Sequence, residues 1–263
     1  MTPLCAKHLL VGLFCLVYRE TVFGVERRGG IARLFNDTGR ISDETDQPLV
    51  MKSVLAICED AWHPAETVRC GLALLRAGGF EVEFLEDGVK NLAEILPDFS
   101  IVLLARANVV SAADSRPWLE PDSVAALQEH LQRGNGLVAI HAGTSRYEQS
   151  PGMTEMIGGA FRHHPDQCTV TMEPRIGHPL AHGVKTFTVR DEHYFMTKND
   201  AAADVFLHSR SEHGVQPAGW TRTGEGGGRV CVLTPGHNLE VWLHLEFQKL
   251  LVNGLNWVAK PTQ

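Results

Sequence analysis

The sequence predicts an α/β protein in which a mainly parallel central sheet, covered by helices, is continued by an antiparallel β extension. Three observations carry that reading. From Lys52 to Ile140 short apolar runs alternate with helix-spaced segments, the mark of repeated strand and helix units whose strands pair in parallel. The run Gly136-Leu137-Val138-Ala139-Ile140 is apolar throughout, as a strand buried on both faces must be. Past residue 150 the pattern loosens into short alternating stretches with turn signals, which suit antiparallel strands.

Taken in order, residues 53–58 form the first strand and residues 59–64 a polar loop. Ala65, Val68, Leu72 and Leu75 then recur at helical spacing before Gly78 and Gly79. Residues 80–85 make a second strand, Leu92, Ile95 and Leu96 mark a short helix, and residues 101–104 make a third strand. Pro121 opens a helix whose Val124, Leu127 and Leu131 face the core and which Gly134 closes. It feeds the central strand, 136–140. Residues 153–157 read as a helix ending at Gly158 and Gly159. Strands are expected at 168–172, 187–189, 205–208, 217–220 and 229–233, the last two joined by the glycine-rich run 224–228, and all are read as the antiparallel extension. Phe247, Leu250, Leu251 and Val258 fall on one face of a terminal helix. Neither a repeat nor a second boundary interrupts residues 51–260, so they are expected to form a single domain.

Residues 1–50 differ and are expected to be an N-terminal extension. Their apolar run, 9–17, stands behind Lys7 and is too short to span a bilayer. It resembles the core of a signal peptide with Val22-Phe23-Gly24 as a loose cleavage site, although Arg19 and Glu20 interrupt the approach. Export and a cytoplasmic protein whose domain starts at Met51 both stay open.

Composition narrows the partners. The 263 residues are 44% hydrophobic and 21% charged, with a formal charge of -7, ordinary for a globular domain. There is no basic stripe for nucleic acid and no membrane-length apolar run. Six cysteines are scattered without a CxxC pair, and Cys58 and Cys231 lie inside strand-like runs. They read as small core residues in a reducing compartment, which favours the cytoplasm. The expected partner is a small molecule, with self-association left open.

Thirteen histidines stand against three tyrosines, and histidine is both a metal ligand and a proton-transfer group near neutral pH. His63 lies in the loop after the first strand, His141 directly after the central strand, and His237 in Thr234-Pro235-Gly236-His237 after the last strong strand. If those strands are parallel, all three histidines gather at one sheet edge, where open α/β folds bind ligands. Asp191-Glu192-His193-Tyr194 also follows a strand, and of its adjacent carboxylates only one can face such a site. His163-His164-Pro165 forms a second cluster. A metal is permitted but not specified, because neither HExxH nor paired CxxC is present. GxGxxG after the first strand, a Walker sequence and GxSxG are all lacking. Gly143-Thr144-Ser145 is at most loop material for a phosphate or sugar.

His141-Ala142-Gly143-Thr144, Ile157-Gly158-Gly159-Ala160-Phe161 with His164-Pro165, His178-Pro179, Asp191-Glu192-His193-Tyr194, Gly227-Gly228-Arg229-Val230 and Gly236-His237 together resemble the ThuA-like, trehalose-utilisation family over about residues 53–258. The resemblance implies a flavodoxin-like three-layer sandwich similar to class I glutamine amidotransferases. Where those enzymes carry a nucleophilic cysteine after the central strand, this chain has His141, so thiol-dependent glutamine hydrolysis is not expected. The family's link to trehalose suggests glycosides or 3-keto-glycosides as substrates. A ketone at C3 acidifies the C2 proton, so that a base and an acid suffice to eliminate the group at C1. On this reading His141, Glu192 and Asp191 are catalytic, while His63, Thr144, Tyr194, His164 and His237 contact substrate. One divalent ion, zinc or manganese, would take His63, His141 and His237 as ligands. Trp220 is read as core. A non-catalytic sugar-binding or regulatory module and a keto-sugar isomerase remain the alternatives.

Overall fold

The computed structural model describes residues 51–86, 92–198 and 203–259, together with the backbone of two short strands near the N-terminus. Those strands, β1 (Val25–Arg28) and β2 (Ile31–Leu34), form an antiparallel ribbon apart from the main sheet, where the sequence leads one to expect no element. The apolar run 9–17 and the cleavage-like site at 22–24 lie outside the described residues.

The core follows in alternation: β3 (Lys52–Ile57), α1 (Ala65–Leu72), β4 (Phe80–Leu85), α2 (Leu92–Ile95), β5 (Ile101–Leu104), α3 (Pro121–Gln132) and β6 (Gly136–Ile140). Helix α1 stops at Leu72, and Leu75 opens a separate 3-10 turn, Leu75–Gly78, rather than continuing the helix. Then come α4 (Pro151–Ile157), β7 (Gly159–His163), β8 (Cys168–Pro174), β9 (Phe187–Asp191), β10 (Phe195–Lys198), β11 (Asp204–Ser211), β12 (Gly214–Thr223), β13 (Arg229–Leu233), α5 (Leu239–Trp242) and α6 (Leu245–Val258).

Nine strands form one sheet in the order β4-β3-β5-β6-β13-β12-β11-β8-β9, while β7 and β10 pair separately. The first five strands are mutually parallel and the next four antiparallel. Here the structure revises one expectation: β13 belongs to the parallel core, aligning Leu233 with Ile140 on β6, and only its other edge faces the antiparallel strands. Successive residues of the central strands face opposite sides. Val54, Ala56, Val138, Ile140, Cys231 and Leu233 pack with α1, α5 and α6, whereas Leu55, Ile57, Leu137, Ala139, Val230 and Val232 pack with α2, α3 and α4. Burial on both faces is why these strands are continuously apolar. The outcome is a flavodoxin-like sandwich of helices, sheet and helices. Among the described residues no helix is long and apolar enough to cross a membrane.

The extension does not run off as a flat ribbon. Four strand spacings of about 4.8 Å would set β9 roughly 19 Å from β13 in a flat sheet, yet Asp191 at the end of β9 accepts hydrogen bonds from Gly236 and His237 just past β13. The sheet therefore curves over α5 and α6, whose Val241, Trp242 and Phe247 share a core with Val170, Met172, Phe187 and Val189, and returns the end of β9 to the carboxyl edge of the parallel strands.

Candidate functional site

At that edge three imidazole rings form a near-equilateral triangle. Ring centroids are 5.1 Å apart for His63 and His141, 5.1 Å for His63 and His237, and 5.5 Å for His141 and His237. Glu192 closes the group, with one ligand atom from each of the four residues within 4.8 Å of the others. Glu192 Oε2 lies 3.3 Å from His141 Nε2, and Oε1 lies 3.3 Å from His237 Nδ1. Neither contact has hydrogen-bond alignment. Of the five buried side-chain nitrogens without a hydrogen-bond partner among the described residues, three are therefore His63 Nε2, His141 Nε2 and His237 Nδ1. Such atoms are rare inside proteins and call for a missing partner.

Each ring is aimed by its own element. His141 follows β6 at φ +46°, a left-handed conformation costly for a side chain with a Cβ. Its Nδ1 lies 2.8 Å from the Thr234 carbonyl past β13, an acceptor only, so Nδ1 carries a proton and Nε2 is turned to the cluster. The turn after it admits no Cβ at Gly143, where one would stand 2.0 Å from the Leu104 carbonyl oxygen. His63 ends the loop after β3, with Nδ1 2.8 Å from Asp60 Oδ1. His237 is held through its backbone: Asp191 takes the Gly236 and His237 amides at 2.9 and 3.0 Å, and Trp242 Nε1 donates to the Gly236 carbonyl at 2.7 Å.

Electrostatics divide the four groups. Burial, together with the charges of its neighbours, leaves His63 below the ordinary histidine range despite the pull of Asp60. The Glu192 carboxylate beside His237 lifts that ring above it, against burial. Burial alone would raise Glu192, but the facing His141 and His237 rings outweigh it and keep the carboxyl below the usual range, hence ionised. A cavity of about 10 Å³ lies on the core side of the triangle, lined by the three histidines with Val68, Ile140 and Trp242 among others. That is room for one water-sized body.

The remaining expected residues divide as follows. Tyr194 stacks on His141 with centroids 4.0 Å apart at 27°, and burial plus the nearby Glu192 and Asp191 charges push its hydroxyl well above its ordinary pKa. His164 stands at the half-exposed rim, its Nε2 3.6 Å from Glu192 Oε2. Thr144 is turned away: its hydroxyl donates to the His141 carbonyl within the 3-10 turn. Asp191 is fully buried on its two amides, and burial raises its carboxyl. His193 points opposite to Glu192 and binds Ser209 and Ser211, while His163 stacks on Phe195. Trp220 is core, donating to the Ile157 carbonyl. Asp60 was not anticipated; its only signal is a carboxylate three residues before His63 in the same loop.

Comparison with known proteins agrees with this architecture. Residues 53–258 match the family model described as ThuA, trehalose utilisation. A ThuA-like protein from Bacteroides uniformis superposes with a TM-score of 0.65 at 18% identity, over 84% of this chain and 95% of its own. A ThuA-like protein from Parabacteroides merdae gives 0.64 at 18% identity, over 80% and 90%. PurLQS from Thermotoga maritima gives 0.52 at 16% identity, over 79% and 99%. At these identities the likeness is one of fold. No curated protein matches the chain.

Proposed function

The chain belongs to the ThuA family, a family of trehalose utilisation with a role in carbohydrate metabolism, and from that premise we propose that it cleaves 3-keto-glycosides of the trehalose type by base-assisted elimination. The observation that carries this reading is the convergence at the carboxyl edge of the sheet of three buried imidazole nitrogens without a hydrogen-bond partner, two of them 3.3 Å from the ionised Glu192 carboxylate.

The donor set fits a divalent cation. Imidazole nitrogens with a carboxylate suit zinc or manganese, with ligation displacing any proton His237 carries, and His63 Nε2, His141 Nε2 and His237 Nδ1, none with a hydrogen-bond partner, would hold it. When bound, such an ion supplies Lewis-acid stabilisation of negative charge on a keto oxygen.

The chain's own residues supply the proton chemistry. Glu192, ionised and 12% exposed, takes the C2 proton made acidic by the C3 ketone. The C2–H electron pair then forms the C1–C2 double bond, the C1–O bond breaks, and the leaving oxygen takes a proton. His164 at the rim is the group within reach of solvent to deliver that proton. Tyr194, stacked on His141, keeps that ring in place and lines the approach. Asp191 acts at one remove, by fixing the backbone that carries His237.

Elemental analysis of purified wild-type protein beside His141→Ala, with both incubated with 3-keto-trehalose, tests the proposal. We expect stoichiometric zinc or manganese and turnover in the wild type, and neither in the variant. Turnover without metal would leave an acid and base enzyme. No turnover, with sugar still bound, would replace the enzyme by a binding module.

A further inference from the structure

We propose that Asp60 sets the ring form of His63, keeping its proton on Nδ1 so that the bare Nε2 faces the cluster. The Asp60 side chain is 1% exposed, and backbone amides from two loops hold both of its oxygens. Oδ1 accepts from the Trp62 amide at 2.9 Å and the His63 amide at 3.1 Å, while Oδ2 accepts from the Ala107 amide past β5 at 2.8 Å. Amides only donate, so the carboxylate is fixed as an acceptor, and its direction of attachment cannot reverse. His63 Nδ1 stands 2.8 Å from Oδ1 and 3.0 Å from Oδ2. An ionised carboxylate has no proton to offer, so the proton between them belongs to Nδ1. A neutral imidazole carries one N–H, and Nε2 is left with its lone pair, in keeping with its lack of any partner.

His141 likewise turns its Nδ1 to an acceptor, but a neutral one, the Thr234 carbonyl. The two rings differ in what stands behind them: the negative charge behind His63 strengthens its Nε2 as a donor relative to the same ring without Asp60, as an outer carboxylate does for a ligating histidine. Because Asp60 also joins the loop after β3 to the loop after β5, one side chain fixes both the position and the chemistry of His63. The consequence for cation affinity rests on the ligand reading above; the ring form itself does not.

Long-range 1H–15N NMR of the metal-free, full-length protein reads the ring form directly, with the His63 signals identified by their loss in His63→Gln. The expected spectrum has one protonated nitrogen, Nδ1, and one bare nitrogen, Nε2. A wild-type His63 protonated on Nε2 would overturn the proposal. Asp60→Ala removes both acceptors, so the Nδ1–H form should no longer be held and zinc binding should weaken about 10- to 100-fold. An Asp60→Ala protein with unchanged ring form and zinc affinity would overturn it equally. Should that variant not fold, the wild-type spectrum still decides. A wild type with the Nδ1–H ring that binds no zinc supports the role of Asp60 and removes the metal reading instead.

Discussion

His141 and Tyr194 lie ring on ring, with centroids 4.0 Å apart and planes at 27°. Tyr194 also approaches Phe161 at 4.3 Å and His164 at 5.9 Å, so it joins the buried ring of the cluster to the residues at its rim. Since His141 holds a strained backbone conformation, the tyrosine is part of what keeps it there. Tyr194→Phe keeps the ring and should cost under about 1.5 kcal/mol. Tyr194→Ala should cost about 3–5 kcal/mol in denaturant unfolding and abolish turnover by freeing His141.

Glu192→Gln tests the proton acceptor. The amide fills the same space but cannot take a proton, so kcat on 3-keto-trehalose should fall by roughly 10²- to 10⁴-fold while the far-UV spectrum is unchanged. A variant with wild-type kcat would assign the proton transfer elsewhere.

Asp191→Ala removes the acceptor of two buried amides, those of Gly236 and His237. Each orphaned donor costs about 1–3 kcal/mol. We expect a loss of several kcal/mol in stability, along with displacement of His237. In chemical denaturation a loss below about 1 kcal/mol would show that the loop is held by Trp242 alone.

The pair of Glu192 and His237 predicts a stability window in the metal-free protein. Glu192 is shifted down on folding, so its contribution is present above its unfolded value, near 4.3, and is lost as pH falls through its folded value. His237 is shifted up, so its contribution is full below about 6.5 and is lost as pH rises through its folded value. The excess Tm of wild type over Glu192→Gln should be greatest between about pH 4.5 and 6.5 and shrink on both sides. An excess still growing above pH 8 would contradict the pairing.

Much of this molecule is legible in its sequence because its logic is local. Unbroken apolar strands announce burial on both faces, and His63, His141 and His237 each sit one loop beyond such a strand. What the sequence conceals depends on chain segments far apart. The direction of β13 depends on its neighbour β6, which periodicity cannot report. Glu192 joins the site only because the sheet curves, and the opposite duties of Asp191 and Glu192 follow from the alternation of side chains at one particular strand end. Thr144 reads as a site residue because it follows His141, yet a 3-10 turn carries its hydroxyl back to the backbone. Asp60 has a signal too slight to separate it from other loop carboxylates until its amide partners are seen.

The sheet order has a consequence for how the chain acquires its site. Strands β3 to β6 can pair as soon as the first half of the domain exists, bringing His63 and His141 to one edge, but Glu192 arrives with β9 and His237 only after β13 has inserted between β6 and β12. Contacts spanning so much of the chain form late, since loop closure must precede them. The fourfold cluster is thus a reporter of completed folding, and a nascent or truncated chain that ends before β13 carries two of its three histidines, His63 and His141, without His237.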